Sequence, residues 1–396
     1  MHLPSGSMFE RAMSMNLGRR QVLLLPGALA SIGTTEAFGQ ASTPGAEGPV
    51  LEVGPSRRVR SLSEAARAAK PGTMVNVEAG DYRGDTAVWN QDGLALRAVG
   101  GRVRLVATGR AAQGKALFVT RGRNISIHGF DFEGVQVPDR NGAGIRLEAG
   151  SLTVEDCRFL DSECGIITSN DASIRLEIRR CEFGYQRRAN GQNHLLYAGT
   201  IARLSVVDSH FHHAQGGHLI KSRAQVHEIL RNRLVDGPGG HASYELEFPN
   251  GGFAVVAGNI IEQASGSENP AMVSFGAEGY GSGANALTLV HNTFVNRRPG
   301  NHPWIRVYPG KVSTRILNNL WAGTHTEHVL EVPATADTQL NTAIPIDDLV
   351  DPDRGDYHLR RQSTAWGRAA VLSDPALQAE KVGQRLQPGA LQDLGR

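Results

Sequence analysis

Short segments of alternating apolar residues recur along most of the chain, and each ends in a large apolar side chain. The segments are ISIHGFDF (125–132), LTVEDCRF (152–159), LEIRRCEF (176–183), LSVVDSHF (204–211), HEILRNRL (227–234), FAVVAGNII (253–261), LTLVHNTF (287–294) and TRILNNLW (314–321). Alternation over such short runs predicts strands. The large residues, from Phe132 to Trp321, are mostly 23 to 28 residues apart. This period predicts a solenoid in which each repeat forms one coil.

A second repeat position favours coils made of strands. Two residues before most of the large side chains stands a small polar residue or a cysteine: Cys157, Cys181, Ser209, Asn232, Asn259 and Asn292. An asparagine at a bend can hydrogen-bond to its counterpart in the next coil. Leucine-rich repeats share the period, but their leucine ladder and helical half-turn are missing from this sequence. We therefore expect an all-β fold, a parallel β-helix.

The N-terminal part of the repeat region has its own pattern. LSEAARAA (62–69) predicts a short amphipathic helix that caps the solenoid. MVNVEAGDY (74–82) and LALRAV (94–99) predict the strands that follow. Residues 42–60 are expected to be a linker between an N-terminal targeting segment and the solenoid.

The C-terminal part repeats less clearly. Residues 325–350 form either a loop or a closing coil, and Asp374–Lys381 resembles a terminal helix. We expect a single β-helix domain over residues 61–396, because the repeats continue without a change of composition.

The first 41 residues have the composition of an export signal. Arg19 and Arg20 precede an apolar stretch over Val22–Ala30, and small residues follow it. The paired arginines resemble a twin-arginine signal, cleaved after Gly39 or Ala41. This pattern predicts that the mature protein is periplasmic or secreted.

Charge and composition narrow the function. The 396 residues carry a net charge of +2 with 20% charged residues, so no strong field indicates nucleic acid as a partner. There is no run of about eighteen apolar residues, so a membrane span is not expected. The three cysteines, Cys157, Cys164 and Cys181, are too few for a disulfide framework and predict buried free thiols.

The densest set of reactive side chains lies between Gly217 and Gly252. Aligning each coil on its large apolar residue places five segments side by side, namely HLLYAG (194–199), HLIKSRA (218–224), SYELEF (243–248), MVSFGAEG (272–279) and WIRVY (304–308). Strand alternation predicts that one set of side chains points inward: Ile220, Ser222, Tyr244, Leu246 and Phe248. It predicts that the other set points outward: Tyr197, Leu219, Lys221, Arg223, Ser243, Glu245, Glu247, Glu278, and Arg306 or Tyr308. His194 and His218 are expected at the edge of this sheet. The stacked strands would form a long shallow trough suited to an extended polymer.

The whole pattern resembles right-handed parallel β-helix proteins. The resemblance rests on SLSEAARAAKPGTMVNVEAGDY (61–82), the repeats and DPDRGDYHLRRQSTAWGR (351–368). Many members are polysaccharide lyases, and others are pectin-type hydrolases, epimerases or phage tailspikes. The fold alone does not determine the chemistry.

The outward residues are chemically suited to β-elimination on a uronate polymer. This reaction needs a base for the C5 proton, a cation for the neighbouring carboxylate and an acid for the leaving oxygen. We expect Lys221 to be the base and Arg223 to bind the carboxylate, with Tyr197, His194 or His218 as proton donor. The candidate substrate-binding residues are Tyr244, Glu245, Asn250, Glu278 and Arg306. Glu245 and Glu247, two residues apart on one strand, are candidate Ca²⁺ ligands, with Asn250 as a further oxygen donor.

Two short motifs resemble the chondroitinase B and alginate lyase group. These are Lys221-Ser222 and Glu245-Leu246-Glu247. The resemblance implies a lysine base, an arginine and a Ca²⁺ held by an E-x-E pair. Here the Lys-Ser pair comes one coil before the E-x-E triplet, which departs from that group and leaves metal use and the roles open.

Other functions remain open on the sequence alone. Glu245 and Glu247 would be roughly 7 Å apart along a strand, a separation that an inverting glycoside hydrolase can use. A uronate C5-epimerase would share the base and the cation. A non-catalytic protein could bind glycan along the trough, and a ladder of Lys–Glu pairs could also be a solvated sheet face.

Overall fold

The fold is built almost entirely from short strands. A computed structural model describes residues 48–187, 193–323, 329–372 and 388–391. In chain order the strands are β1 Val50–Val53, β2 Met74–Arg83, β3 Ala87–Trp89, β4 Ala95–Val106, β5 Ala116–Thr120, β6 Ile125–His128, β7 Phe130–Glu133, β8 Ala143–Leu147, β9 Ser151–Glu155, β10 Arg158–Leu160, β11 Cys164–Thr168, β12 Asp171–Arg179, β13 Glu182–Gly184, β14 Leu196–Ala198, β15 Ile201–Val207, β16 His210–Phe211, β17 Ile220–Ser222, β18 Val226–Leu230, β19 Arg233–Val235, β20 Leu246–Phe248, β21 Phe253–Ala257, β22 Ile260–Gln263, β23 Val273–Phe275, β24 Ala286–Val290, β25 Thr293–Asn296, β26 Ile305–Val307, β27 Ser313–Leu317, β28 Leu320–Gly323, β29 Leu330–Glu331, β30 Thr342–Ile344, β31 Leu349–Asp351 and β32 Asp356–Leu359. The helices are α1 Leu62–Ala68 and two 3₁₀ turns, Ile346–Asp348 and Pro352–Arg354.

The strands form a parallel β-solenoid, as the repeat predicts. One sheet takes a single strand from each of ten coils, in the order β3-β5-β8-β11-β14-β17-β20-β23-β26-β29. A twenty-stranded sheet contains the other strands of the coils. Only β31 and β32 pair antiparallel among the described strands. Among the described residues no helix is long and apolar enough to cross a bilayer.

The large apolar residue of each repeat stacks on its counterpart in the next coil. Strand pairing aligns Phe132, Phe159, Phe183, Phe211, Leu234, Ile261, Phe294 and Trp321 in one continuous column. The first four rings have centroids 4.9, 4.6 and 4.4 Å apart and lie nearly parallel. The predicted register is therefore confirmed, and the column forms much of the core between the sheets.

A sharp bend separates the two halves of each repeated segment. At the bend one residue has a positive φ, for example Asp156 at 50° and Asp208 at 51°. A single left-handed residue turns the chain and ends one strand before the next begins. Each eight-residue repeat segment thus forms two strands, such as β9 and β10, where the alternation alone indicated one.

The polar residue after the bend hydrogen-bonds along the solenoid. The backbone N–H of Ser209 donates to Oδ1 of Asn232 at 2.9 Å, and that of Asn232 donates to Asn259 at 2.8 Å. Asn259 continues the series to Asn292 at 3.0 Å. The predicted asparagine ladder is confirmed, and it extends through Asn319 to Asn341. It satisfies the buried backbone donors at these bends.

The cysteines and the N-terminal strands complete the core. Cys157, Cys164 and Cys181 are buried and free, as predicted. Strand β1 pairs in parallel with β2, so Val50–Val53 belong to the solenoid and the predicted linker over residues 42–60 is wrong there. Only Val53 of this strand is buried, so its four residues give no clear alternation.

The predicted N-terminal helix is present as α1. The Oγ of Ser61 accepts a hydrogen bond from the N–H of Glu64 at 3.1 Å, which satisfies one donor of the first turn. Leu62, Ala65 and Ala66 are its buried residues, and the helix contacts β1 and β3. Its role as a cap of the solenoid stays a prediction.

The C-terminal region continues both sheets. Strand β29 pairs with β26, and β30 pairs with β28, so the described part of residues 325–350 behaves as a closing coil. The hairpin β31–β32 follows it. The predicted export signal over residues 1–41 and the predicted helix Asp374–Lys381 lie outside the described residues.

Candidate active site

The five segments aligned from the sequence are neighbouring strands of the ten-stranded sheet. Strand pairing places Tyr197 beside Lys221, Lys221 beside Glu247, Glu247 beside Ser274 and Ser274 beside Arg306. Their inward neighbours Ile220, Leu246, Val273 and Ile305 are fully buried. Alternation within each three-residue strand therefore turns the reactive column outward, because successive side chains point to opposite faces.

The alternation predicted for residues just before these strands is wrong. Leu219 and Glu245 were expected outside, yet both are fully buried. Tyr244 was expected inside, yet it is half-buried and its ring lies 5.2 Å from that of His218. The strands begin only at Ile220 and Leu246, and the preceding residues belong to the bends, where the two-residue period does not apply.

Lys221, Glu247 and His218 form one cluster around a single oxygen. Nζ of Lys221 lies 2.7 Å from Oε2 of Glu247, and Nε2 of His218 lies 2.8 Å from the same oxygen. Because a carboxylate oxygen can only accept, His218 carries its proton on Nε2. The buried Nδ1 of His218 has no hydrogen-bond partner among the described residues.

The cluster holds one carboxylate ionised and one imidazole neutral. Burial acts to raise the pKa of Glu247, but His218 and Lys221 outweigh burial and lower this pKa to about 2. Burial also lowers the pKa of His218, and the hydrogen bond to Glu247 offsets only part of that effect. At neutral pH the charge facing Glu247 is therefore the ammonium of Lys221.

His194 lies next to this cluster. Its Nδ1 accepts the backbone N–H of His218 at 3.0 Å, and the two imidazole centroids are 4.5 Å apart. Burial lowers the pKa of His194 well below 6.5, and the positive charges of Lys221 and Arg223 act in the same direction. The neutral ring thus carries its proton on Nε2, since Nδ1 is the acceptor. Its ring also stacks near Tyr197, with centroids 5.7 Å apart.

Arg223 is the centre of a second cluster. Its Nε donates to Oη of Tyr197 at 3.1 Å, and its Nη1 donates to Oδ1 of Asn250 at 2.6 Å. Two further nitrogen–oxygen contacts, 2.6 and 2.9 Å, join it to both oxygens of Glu278. The hydrogen bonds that Arg223 donates to Glu278 raise the pKa of Arg223, and Arg223 in turn lowers the pKa of Glu278. The guanidinium orients the phenol and leaves the Tyr197 hydroxyl proton available to a substrate.

The next rungs along the trough carry Tyr244 and Arg306. Burial raises the pKa of Tyr244, and the neighbouring Tyr308 raises it further. Nε of Arg306 lies 2.7 Å from Oε2 of Glu331 on the following strand. The structure therefore brings the following residues to one side of the solenoid: Tyr197, Lys221, Arg223, His194, His218, Tyr244, Asn250, Glu278 and Arg306.

Glu245 does not join this group. It is 0% exposed, so it cannot contact a polymer in the trough. Burial, reinforced by Asp236, raises its pKa well above 4.5, whereas Glu247 faces Lys221 and His218. A protonated buried carboxyl is a poor ligand for Ca²⁺, and the Oε2 of Glu247 is already engaged. The two residues do not fit the predicted calcium site, and no group of three His, Cys, Asp or Glu residues suited to a metal occurs within the described ranges.

Sequence reasoning missed Arg146 and Asn141. Both line a cavity of about 640 Å³ together with His194, Tyr197, Lys221 and Arg223. Strand pairing joins Arg146 to Ile167 and Ile167 to Tyr197, in the same outward column as Lys221. Extending the aligned segments two coils toward the N-terminus, to GIRLEAG (144–150), would have found this arginine.

Comparison with solved structures supports the same fold. Pectate lyase Pel9A matches with a TM-score of 0.66 and 14% identity, over 87% of this chain and 96% of that chain. The chain has the fold of this pectate lyase. The Geobacillus virus E2 protein ORF18 matches with a TM-score of 0.37 and 13% identity, over 72% and 56% of the two chains. A mutant of the PL6 family alginate lyase AlyGC matches with a TM-score of 0.33 and 13% identity, over 79% of this chain and 55% of that chain. Neither a family model nor a curated protein matches this sequence.

Proposed function

We propose that this protein is an exported lyase that cleaves a uronic-acid-containing polysaccharide by β-elimination. The observation that carries the proposal is the group formed by Tyr197, Lys221 and Arg223 on the open face of the ten-stranded sheet. The described residues lining the adjoining cavity include three cations and no carboxylate. Such a surface favours an acidic polymer through charge complementarity. The fold shared with a pectate lyase is consistent with this substrate class.

Each step of the elimination has a candidate group on this face. Arg223 neutralises the substrate carboxylate, which makes the C5 proton more acidic. Lys221 takes that proton once its amine is neutral, and the electron pair moves to form the C4–C5 double bond. Tyr197, whose oxygen already accepts a hydrogen bond from Arg223, gives its own proton to the leaving glycosidic oxygen. The products are an unsaturated uronate end and a new hydroxyl end.

The remaining site residues position the reactants. Glu247 holds Lys221, and His218 fixes the other side of that carboxylate. The Nε2 proton of His194 provides a second donor for the leaving oxygen. Tyr244, Asn250, Glu278 and Arg306 are proposed to contact the sugars that bind along the trough.

A hydrolase mechanism is less well supported by this geometry. Glu245 is buried away from the trough, and the pKa values of Glu247 and Glu278 are both lowered. Two ionised carboxylates leave no general acid of the kind that glycoside hydrolysis requires. A C5-epimerase would use the same base and cation, and would differ only in returning a proton to C5.

The deciding experiment incubates the protein with a panel of acidic polysaccharides, with and without EDTA. We expect ultraviolet absorbance from the unsaturated uronate, which only elimination produces. Reducing ends without this absorbance would replace elimination by hydrolysis. Exchange of the C5 proton with solvent deuterium, without chain cleavage, would identify an epimerase. Loss of the signal in EDTA would show a metal requirement that Glu245 and Glu247 do not explain.

A further inference from the structure

The cavity at the N-terminal end of the trough contains an arginine that has no ionic partner in the described part of the chain. Arg146 lies on β8, and its Nε is buried without a hydrogen-bond partner among the described residues. None of the ion pairs of the described chain includes Arg146, although the other cations of the trough are paired: Lys221 with Glu247, Arg223 with Glu278 and Arg306 with Glu331.

Two acidic residues close to this strand and to its neighbour, Glu148 and Glu163, are engaged with other groups. Oε2 of Glu163 accepts the backbone N–H groups of Val137 and Gly142, at 3.2 and 2.7 Å. Glu148 pairs with Arg121 at 2.6 Å. A buried donor of a charged group normally has a partner, because leaving it unsatisfied is unfavourable. The site is therefore suited to an anion from outside the protein.

Asn141 adds a second unsatisfied group to the same cavity. Its buried Oδ1 has no hydrogen-bond partner among the described residues. An amide oxygen that lines the same cavity as an unpaired guanidinium can accept a hydroxyl while the guanidinium binds a carboxylate. A uronate sugar carries both groups. The cavity of about 640 Å³ continues from this pair to Lys221 and Arg223, so one ligand can reach both ends.

The register of the sheet fixes how far this pair is from the reactive residues. Arg146, Ile167, Tyr197 and Lys221 are successive members of one outward column. Three steps between parallel strands correspond to about 14 Å. A single sugar cannot span this distance, whereas an extended oligosaccharide can.

We propose that Arg146 and Asn141 form a distal subsite that binds the carboxylate and a hydroxyl of a uronate several sugars from the bond that is cleaved. This proposal rests on the proposed function for the identity of the polymer. Binding at the subsite can be measured separately, because it does not require elimination. Arg146 binds the substrate away from the reacting atoms and selects for chain length and for acidic sugars.

The test compares the binding of short and long oligouronates by calorimetry at low salt. Wild type, Arg146→Gln and Arg146→Lys are titrated with a uronate disaccharide, a longer oligouronate and the carboxyl-reduced form of the longer one. Arg175→Gln is the matched control, since Arg175 is an exposed arginine on β12 of the other sheet. Circular dichroism and thermal unfolding confirm that each variant folds.

We expect Arg146→Gln to weaken binding of the longer oligouronate by about tenfold or more, the usual effect of losing a charge-assisted hydrogen bond. Arg146→Lys should lose less of this affinity, and Arg175→Gln should bind the longer oligouronate as tightly as wild type. The disaccharide and the carboxyl-reduced oligomer should bind Arg146→Gln and wild type equally.

The outcomes separate this proposal from the proposed function. Unchanged binding of the longer oligouronate to Arg146→Gln would overturn the subsite, even if wild type is an active lyase. An equal loss for the disaccharide would also overturn it, because Arg146 would then act at the centre of the site. A length-dependent loss in a protein without elimination activity would support the subsite and refute the lyase. Wild type that binds none of the acidic oligomers would overturn both.

Discussion

Nζ of Lys221 lies 2.7 Å from Oε2 of Glu247, on adjacent strands of the ten-stranded sheet. The lysine side chain is 15% exposed, and the carboxylate is 7% exposed. This ion pair fixes the amine on the open face of the trough. A base must be neutral before it can accept a proton. Lys221 therefore has two alternative roles: a base that loses its proton before the reaction, or a permanent cation beside the substrate carboxylate.

Substitution of Lys221 separates these roles. If Lys221 is the base, both Lys221→Ala and Lys221→Arg should lower kcat about a hundredfold to ten-thousandfold, because arginine does not give up its proton in proteins. The measurement is the initial rate of unsaturated uronate formation at saturating substrate. Lys115→Arg, at a partly exposed lysine paired with Asp139, should retain full activity. Substantial activity in Lys221→Arg would assign the lysine a purely electrostatic role.

Tyr197 provides an independent test of the proton donor. Tyr197→Phe keeps the ring and its stacking on His194, but it removes the hydroxyl that accepts from Arg223. We expect kcat to fall at least a hundredfold with little change in KM, because an acid contributes mainly in the transition state. Tyr185→Phe, at an exposed tyrosine stacked near His213, is the matched control. Normal turnover by Tyr197→Phe would transfer the role of acid to His194.

The repeat of the fold could be predicted from sequence because it is set by local rules. Each coil places one large apolar residue and one small or amide residue at the same point, so Phe159 and Asn232 mark the register directly. The same regularity predicts that Lys221 points outward. Alternation is reliable within a strand because the pleat imposes it.

The rest of the site depends on bends and long-range contacts that no local pattern encodes. Glu245 has the same spacing from Glu247 as any alternating pair, yet it precedes the strand and is buried near Asp236 and Ser267. Arg146 is 75 positions before Lys221 in the numbering, and only the stacking of coils places both on one cavity. The bidentate contact of Arg223 with Glu278 likewise spans 55 residues.

The asparagine ladder makes a prediction about stability. Asn259 is fully buried, accepts from the N–H and Nδ2 of Asn232, and donates to Asn292 and to the carbonyl of Ile229. Asn259→Ala leaves several of these buried groups unsatisfied, so we expect a loss of about 3 kcal/mol in the free energy of unfolding. Urea unfolding followed by circular dichroism measures it.

A surface asparagine is the control for this prediction. The side chain of Asn76 makes one hydrogen bond, to Oε1 of Glu52 at 2.8 Å, on the outer face of β2. Asn76→Ala should change the free energy of unfolding by less than about 1 kcal/mol. A similar small effect for Asn259→Ala would mean that the ladder is not a main source of stability.

Glu245 makes the stability of the fold depend on pH. Burial, followed by the charge of Asp236, raises its pKa in the folded protein well above 4.5, so the folded state keeps a proton that the unfolded state loses. Burial also raises the pKa of Asp236, to about 6. Their stabilising contribution is present below the unfolded-state pKa values and decreases as pH rises through the folded ones.

Glu245→Gln should remove part of this dependence, because the amide is uncharged and nearly the same shape. Between about pH 5 and pH 8 we expect the variant to lose less stability than wild type, by at most about 1.4 kcal/mol per pH unit for one proton. Urea unfolding over this range measures the slope. Glu245→Ala is the comparison, since it should lose the same pH dependence while the cavity it leaves lowers stability at every pH. Equal slopes for Glu245→Gln and wild type would show that Glu245 is not the group that titrates.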